Sequence, residues 1–143
     1  LDLSYNHLSK LSDELIATNV PYLYGVDISY NRFSAFPYGP LDCAGLTVYG
    51  VRGQRNAAGE RCLSEWPTGI YRHTGLRGLY LGSNNLGKID DTISTLIYFL
   101  DISDNPDIIF DASDICAAYA NKVYYLIYDK SQEIRNCEYI ELD

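Results

Sequence analysis

The chain has 143 residues, with 11 Lys plus Arg against 19 Asp plus Glu, for a formal net charge of −8 at pH 7. That length suits one domain with a real core, and the charge argues against a nucleic-acid partner, since a phosphate backbone repels an acidic surface. No run of about 18 apolar residues is present, and the N-terminus lacks the basic head and apolar stretch of a secretory signal, so no membrane span is expected.

The chain contains no Met and opens on Leu1-Asp2-Leu3, already inside a patterned segment, which reads as a C-terminal piece of a longer chain. Leu1 to Leu8 reads as a short strand ended by Asn6. Ser12-Asp13-Glu14-Leu15-Ile16-Ala17, with a capping Ser and early acids, predicts a short helix. Val26-Asp27-Ile28-Ser29-Tyr30-Asn31-Arg32-Phe33 repeats the first strand, and Phe36-Pro37-Tyr38-Gly39-Pro40 is too rich in Pro and Gly to be regular. A weaker copy follows at Tyr49-Gly50-Val51-Arg52-Gly53-Gln54. From Gln54 to Gly75 runs a long connector whose Asn56-Ala57-Ala58-Gly59-Glu60 looks like an inserted loop, read more readily as slack than as a recognition element. Strong copies return at Leu79-Tyr80-Leu81-Gly82-Ser83-Asn84-Asn85-Leu86 and Leu100-Asp101-Ile102-Ser103-Asp104-Asn105. Ser113 to Tyr119 predicts a second short helix, and Leu126 to Ser131 is a degenerate last copy with Ser131 in the Asn place.

Leu23, Leu46, Leu76, Ile97 and Val123 sit three residues before each strand pair and complete the frame L-x-x-L-x-L-x-x-N-x-L. The Asn positions are spaced by 25, 23, 30 and 21 residues. In L-x-L both apolar side chains point to one face of a strand, and the Asn ends it because its amide bonds neighbouring backbone groups. All five prolines fall outside the strand cores.

This frame resembles the leucine-rich-repeat family, in particular bacterial cell-surface members, over essentially the whole chain. The resemblance implies an α/β fold: one curved solenoid domain over residues 1–143, of about five to six coils. A parallel sheet would line the concave face, with irregular or short helical connectors on the convex side. It also implies a buried column of Asn6, Asn31, Gln54, Asn84 and Asn105, each amide satisfying the backbone of the next coil. Asn-x-Ser/Thr sequons are absent, which fits a bacterial origin, and the resemblance implies placement at the cell surface or outside the cell.

No catalytic constellation is found. His7 and His73 have no Cys or Ser at a nucleophile's spacing, and Gly50, Gly53 and Gly59 are followed by no Lys-Ser or Lys-Thr. No calcium-loop frame occurs, and neither an enzyme, a cofactor nor a metal is expected. Cys43, Cys62, Cys116 and Cys137 show no C-x-x-C spacing. They allow three pairings that the sequence does not choose among, and their apolar neighbours favour buried thiols over disulfides.

The resemblance places ligands on the concave face. Its variable positions hold seven of the 14 tyrosines, a residue that offers broad contact and a hydrogen-bonding tip at low entropic cost. Tyr5, Asp27, Tyr30, Arg52, Arg77, Tyr80, Tyr98, Phe99 and Asp101 are therefore the expected ligand-binding residues. Asp2, Asp27 and Asp101 share a column that reads as an acidic groove for a basic or polyhydroxylated partner, or as ordinary repeat pattern. The expected function is recognition of a protein or glycan. The alternatives are a structural spacer, or the substrate-recruiting half of a larger enzyme or effector.

Overall fold

A computed structural model describes residues 1–12, 22–73, 75–88, 97–111 and 125–135. The described residues form seven three-residue strands: β1 (Gly25–Asp27), β2 (Val48–Gly50), β3 (Gly78–Tyr80), β4 (Phe99–Asp101), β5 (Ile109–Asp111), β6 (Tyr125–Ile127) and β7 (Glu133–Arg135), of which β5 and β7 lie outside the predicted repeat strands. Five of them form one parallel sheet in the order β1-β2-β3-β4-β6. Val26, Tyr49, Leu79, Leu100 and Leu126 lie side by side across it. Asp2 extends the same edge through a parallel bridge to Asp27. Parallel neighbours need a full crossover between them, so each repeat closes one coil and the chain winds as a solenoid.

The frame residues line the inside of these coils. Val26, Tyr49, Leu79 and Leu100 are buried with Ile28, Val51, Leu81 and Ile102 two residues on. Phe33, Leu63, Leu86 and Ile108 close the next corner, and Leu46, Leu76 and Ile97 close the corner before each strand. Each fully buried Leu or Ile contributes about 1.5–3 kcal/mol, and this apolar interior holds the stack together. Tyr49 takes a leucine's place with its hydroxyl donating to Pro37 O at 2.7 Å. Burial raises that hydroxyl's pKa.

Asn31, Gln54, Asn84 and Asn105 form a buried column of amides, but each satisfies the preceding coil and not the next one. Asn105 Nδ2 donates to Leu81 O in the preceding coil and to Ile102 O in its own, while its Oδ1 accepts from Leu86 N–H. Asn31 and Gln54 repeat this arrangement toward Leu3 and Ile28. Two positions depart from expectation. Asn6 is exposed, and its amide bonds Leu3 O and Ser4 O of its own segment. At the other end Gln132, not Ser131, continues the column. Its longer amide reaches Ile102 O at 2.6 Å and Asn105 O at 3.2 Å, which a Ser hydroxyl one residue earlier does not do.

The connectors also differ from expectation. The Pro-rich segment forms a 3₁₀ turn at Gly39–Asp42, started by Pro40 in its first turn, and a second turn spans Ile70–Arg72. β5 and β7 pair in parallel as a second, two-stranded sheet, joined at its edge by a bridge from Lys88 to Ile109. The helix predicted at 113–119, and all but Ser12 of the one predicted at 12–17, lie outside the described residues, as do Val123, Cys116 and Cys137. Cys43 and Cys62 are free thiols, the first buried and the second partly so, and burial raises both pKa values. Among the described residues no helix is long and apolar enough to cross a membrane.

Candidate functional site

Side chains alternate along a strand, so burial of the frame leucines turns the residues between and beside them onto the opposite face of the sheet. Asp27, Gly50, Tyr80, Asp101 and Ile127 stand in one column there, beside Gly25, Val48, Gly78, Phe99 and Tyr125 in another. The middle of this face is a knot of three residues. Arg52 Nε donates to Asp101 Oδ2 at 2.7 Å, and its guanidinium lies 4.4 Å from the Tyr80 ring centre. Tyr80 in turn lies back over Gly78, where a Cβ would stand 3.2 Å from the ring. Two contacts therefore hold the guanidinium plane in place.

Asp101 is not a free acidic ligand. It is 3% exposed, and its other carboxylate oxygen accepts from Ser103 N–H and Oγ–H. Glycine at position 82 makes room for it, since a Cβ there would meet the carboxylate at 2.8 Å. Asp27 and Asp2 bend their carboxylates the same way, toward Ser29 N–H and toward Ser4. They remain only partly covered or exposed. The Ser4 hydrogen bonds lower the Asp2 pKa.

The face has two unlike ends. Toward β1 it is recessed into a cleft of about 470 Å³, lined among others by Asp2, Tyr22, Tyr24, Asp27, Gly50 and Arg52. Toward β6 it rises into rings. Phe99 stacks on Tyr125 with centres 4.8 Å apart, and Arg77 lies 5.8 Å from the Tyr98 ring centre. Tyr98, Phe99, Tyr125 and Ile127 are all exposed.

A third group forms the rim where the strands end. Tyr5, Tyr30, Gly53, Ser83 and Asp104 hold the same place before each column amide, and all have positive φ between 50° and 64°. The coil requires this left-handed turn, which Tyr bears only at a cost of about 1–2 kcal/mol. Tyr5 and Tyr30 stack at 4.5 Å, and the Tyr30 ring lies over Gly53, where a Cβ would stand 2.4 Å from it.

Next to this stack stands the inserted segment, and it is not slack. Leu63 takes the place held by Leu8, Phe33 and Leu86, since Asn85 N–H donates to its carbonyl as Arg32 N–H does to Leu8 O. The 30-residue spacing is therefore an ordinary coil plus a hairpin. Arg55 and Arg61 bridge its base, and Asn56 Oδ1 accepts from Ala58 and Glu60 N–H at its tip. Arg55 donates to Ser83 O and Oγ of the next coil, and Arg61 to Asn84 O, Asp104 O and Asp104 Oδ1. Those contacts, Arg61 first, lower the Asp104 pKa. Sequence reasoning missed both arginines, as well as Tyr22. Its available signal was the one spacing that exceeds the others.

Among the described residues no three His, Cys, Asp or Glu side chains gather to hold a metal ion. His7 is exposed, and His73 borders a connector cavity away from the sheet face. The arrangement can bind: aromatic surface, carboxylate acceptors and a fixed guanidinium stand on one face.

A leucine-rich-repeat protein of Bacteroides thetaiotaomicron has a solved structure that superposes on the chain with a TM-score of 0.87, at 46% identity over 95% of the chain. One from Bacteroides eggerthii superposes with a TM-score of 0.85, at 48% identity over 95%. The chain folds as a leucine-rich-repeat solenoid. It spans 16% and 22% of the lengths of those two chains, so this leucine-rich-repeat module corresponds to a small part of each. No protein-family model and no curated protein matches it.

Proposed function

We propose that this leucine-rich-repeat module is a non-catalytic recognition element that holds a protein or glycan ligand on its concave sheet face. One observation carries the reading: the face combines exposed rings (Tyr24, Tyr98, Phe99, Tyr125) with a guanidinium held ready by Asp101 and Tyr80. Aromatic residues and Arg dominate binding energy at interfaces because they bury large area and lose little freedom. Tyr5, Tyr30 and the Arg55–Arg61 hairpin would border the ligand along the rim. Asp101 acts through Arg52 and not by contact. Placement at the cell surface or outside the cell belongs to the same proposal and rests on the family resemblance.

The test is ligand capture from the native surroundings by the parent protein and by a variant carrying Tyr24→Ala, Tyr98→Ala and Phe99→Ala. These side chains are exposed, so the fold should survive, which circular dichroism checks. Capture should be lost. Capture that persists unchanged would leave the module a spacer whose sheet face does not bind.

A further inference from the structure

The cleft beside β1 carries a narrower reading, which rests on the proposal that the concave face binds. Its floor is low because Gly25 and Gly50 supply no side chain, and Val48 and Tyr80 bound it on the β2 and β3 side. Its volume of about 470 Å³ lies in the range of small-ligand sites. On its open side Tyr22 and Tyr24 are 93% and 72% exposed, and neither ring packs on another among the described residues.

The polar groups of the cleft decide what fits. Asp2 and Asp27 each commit one carboxylate oxygen to a Ser of their own strand, and the second oxygen has no partner among the described residues. Arg52 commits Nε to Asp101, which leaves its two terminal nitrogens as donors. An anionic ligand would meet two carboxylates here, and the Arg52 charge is already matched by Asp101. A cationic segment would be attracted by the carboxylates but, carrying only donors, would leave the terminal Arg52 nitrogens without an acceptor. A neutral ligand with adjacent hydroxyls meets neither conflict. Its hydroxyls donate to the carboxylates and accept from the guanidinium, both charge-assisted, while a ring face of C–H groups lies on tyrosine.

We propose that the cleft formed by Tyr22, Tyr24, Asp27 and Arg52 is a carbohydrate site that takes a neutral hexopyranose unit.

The probes are gluco-, manno- and galacto-configured neutral trisaccharides, with polygalacturonate and polylysine as charged competitors, titrated calorimetrically into the protein. At least one neutral trisaccharide should bind. Tyr24→Ala and Asp27→Asn should each weaken it about tenfold, the equivalent of one lost charge-assisted hydrogen bond or ring contact. Asp27→Asn keeps an oxygen for Ser29 N–H, so its effect reads the ligand and not the fold. Glu65→Ala, an exposed connector residue outside the cleft lining, should leave the affinity within about twofold. Binding of polygalacturonate or polylysine alone, or of no probe, overturns the proposal. If no neutral sugar binds and yet capture in the preceding experiment depends on the sheet face, only the carbohydrate reading falls. If a sugar binds and neither Tyr24→Ala nor Asp27→Asn alters it, the sugar lies elsewhere and the reading of this cleft falls, while the concave-face reading stands or falls on the capture experiment.

Discussion

The β1 end and the β6 end of the outward sheet face are made from the same frame and have opposite character. At β1 the two columns hold Gly25, Asp27, Val48 and Gly50, and the surface sinks into a polar cleft. At β6 the same columns hold Phe99, Tyr125 and Ile127, and the surface is a raised apolar ridge. Tyr80, Arg52 and Asp101 form the boundary between them. Inside the sheet no such contrast exists, because every coil must bury the same apolar corners and satisfy the same carbonyls. A solenoid therefore separates its tasks: inward positions are constrained by packing in every coil, and outward ones vary from coil to coil except where, as at Asp101, they bond a neighbour.

The boundary is the most sensitive point. Asp101→Ala would leave Ser103 N–H and the Arg52 guanidinium without their acceptor, and should cost about 2–3 kcal/mol in urea unfolding. It should also free Arg52, so that the cleft and the ridge lose their dividing wall together; an unchanged midpoint would show that the knot adds nothing to stability. Next comes the rim. Gly53→Ala places a methyl where the Tyr30 ring lies and keeps a positive φ, so a loss of about 1–2 kcal/mol is expected, with the Tyr5–Tyr30 stack displaced. The same substitution would leave the Phe99–Tyr125 ridge intact, which near-ultraviolet circular dichroism of single-tyrosine variants can separate. On the ridge itself, Phe99→Ala removes a half-exposed stack and should cost only about 0.5–1.5 kcal/mol.

The smallest effect is acidic loosening of the hairpin. Asp104 has its pKa lowered below the ordinary 3.8 by Arg61. Its contribution is present above that value and is lost as pH falls through the lowered folded value. The Asn56 amide, which donates to Glu60 O, should therefore exchange faster relative to the core amides as pH falls below 3.8, and Arg61→Ala should produce the same loosening at neutral pH. Equal protection in both cases would mean that the hairpin stands without its anchor.

Much of this molecule was legible in the residues. The L-x-L pairs, the residues three before them and the amides at Asn31, Asn84 and Asn105 announce a coil whose inside is apolar and whose corner amide bonds a neighbouring turn. Tyr80, Phe99 and Arg52 are placed on the outward face by alternation alone. What was not legible depends on partners distant in sequence. Asp101 reads as an open acid until Arg52, 49 residues earlier, is seen beside it. Asn6 carries the column residue, yet its amide bonds Leu3 O and Ser4 O of its own segment and the side chain is exposed. Arg55 and Arg61 look like loop charges until the stacking of coils brings Ser83 and Asp104 beneath them.

The sequence by itself determined the repeat, the direction in which each strand residue points and the amide that closes each turn, since these follow from short-range periodicity and side-chain chemistry. Only the tertiary structure decided the cleft, the Arg52–Tyr80–Asp101 boundary, the anchored hairpin and the take-over of the column by Gln132. Each of these exists because parallel stacking sets residues about one coil or more apart within hydrogen-bonding distance, and no local pattern records which side chains will meet there.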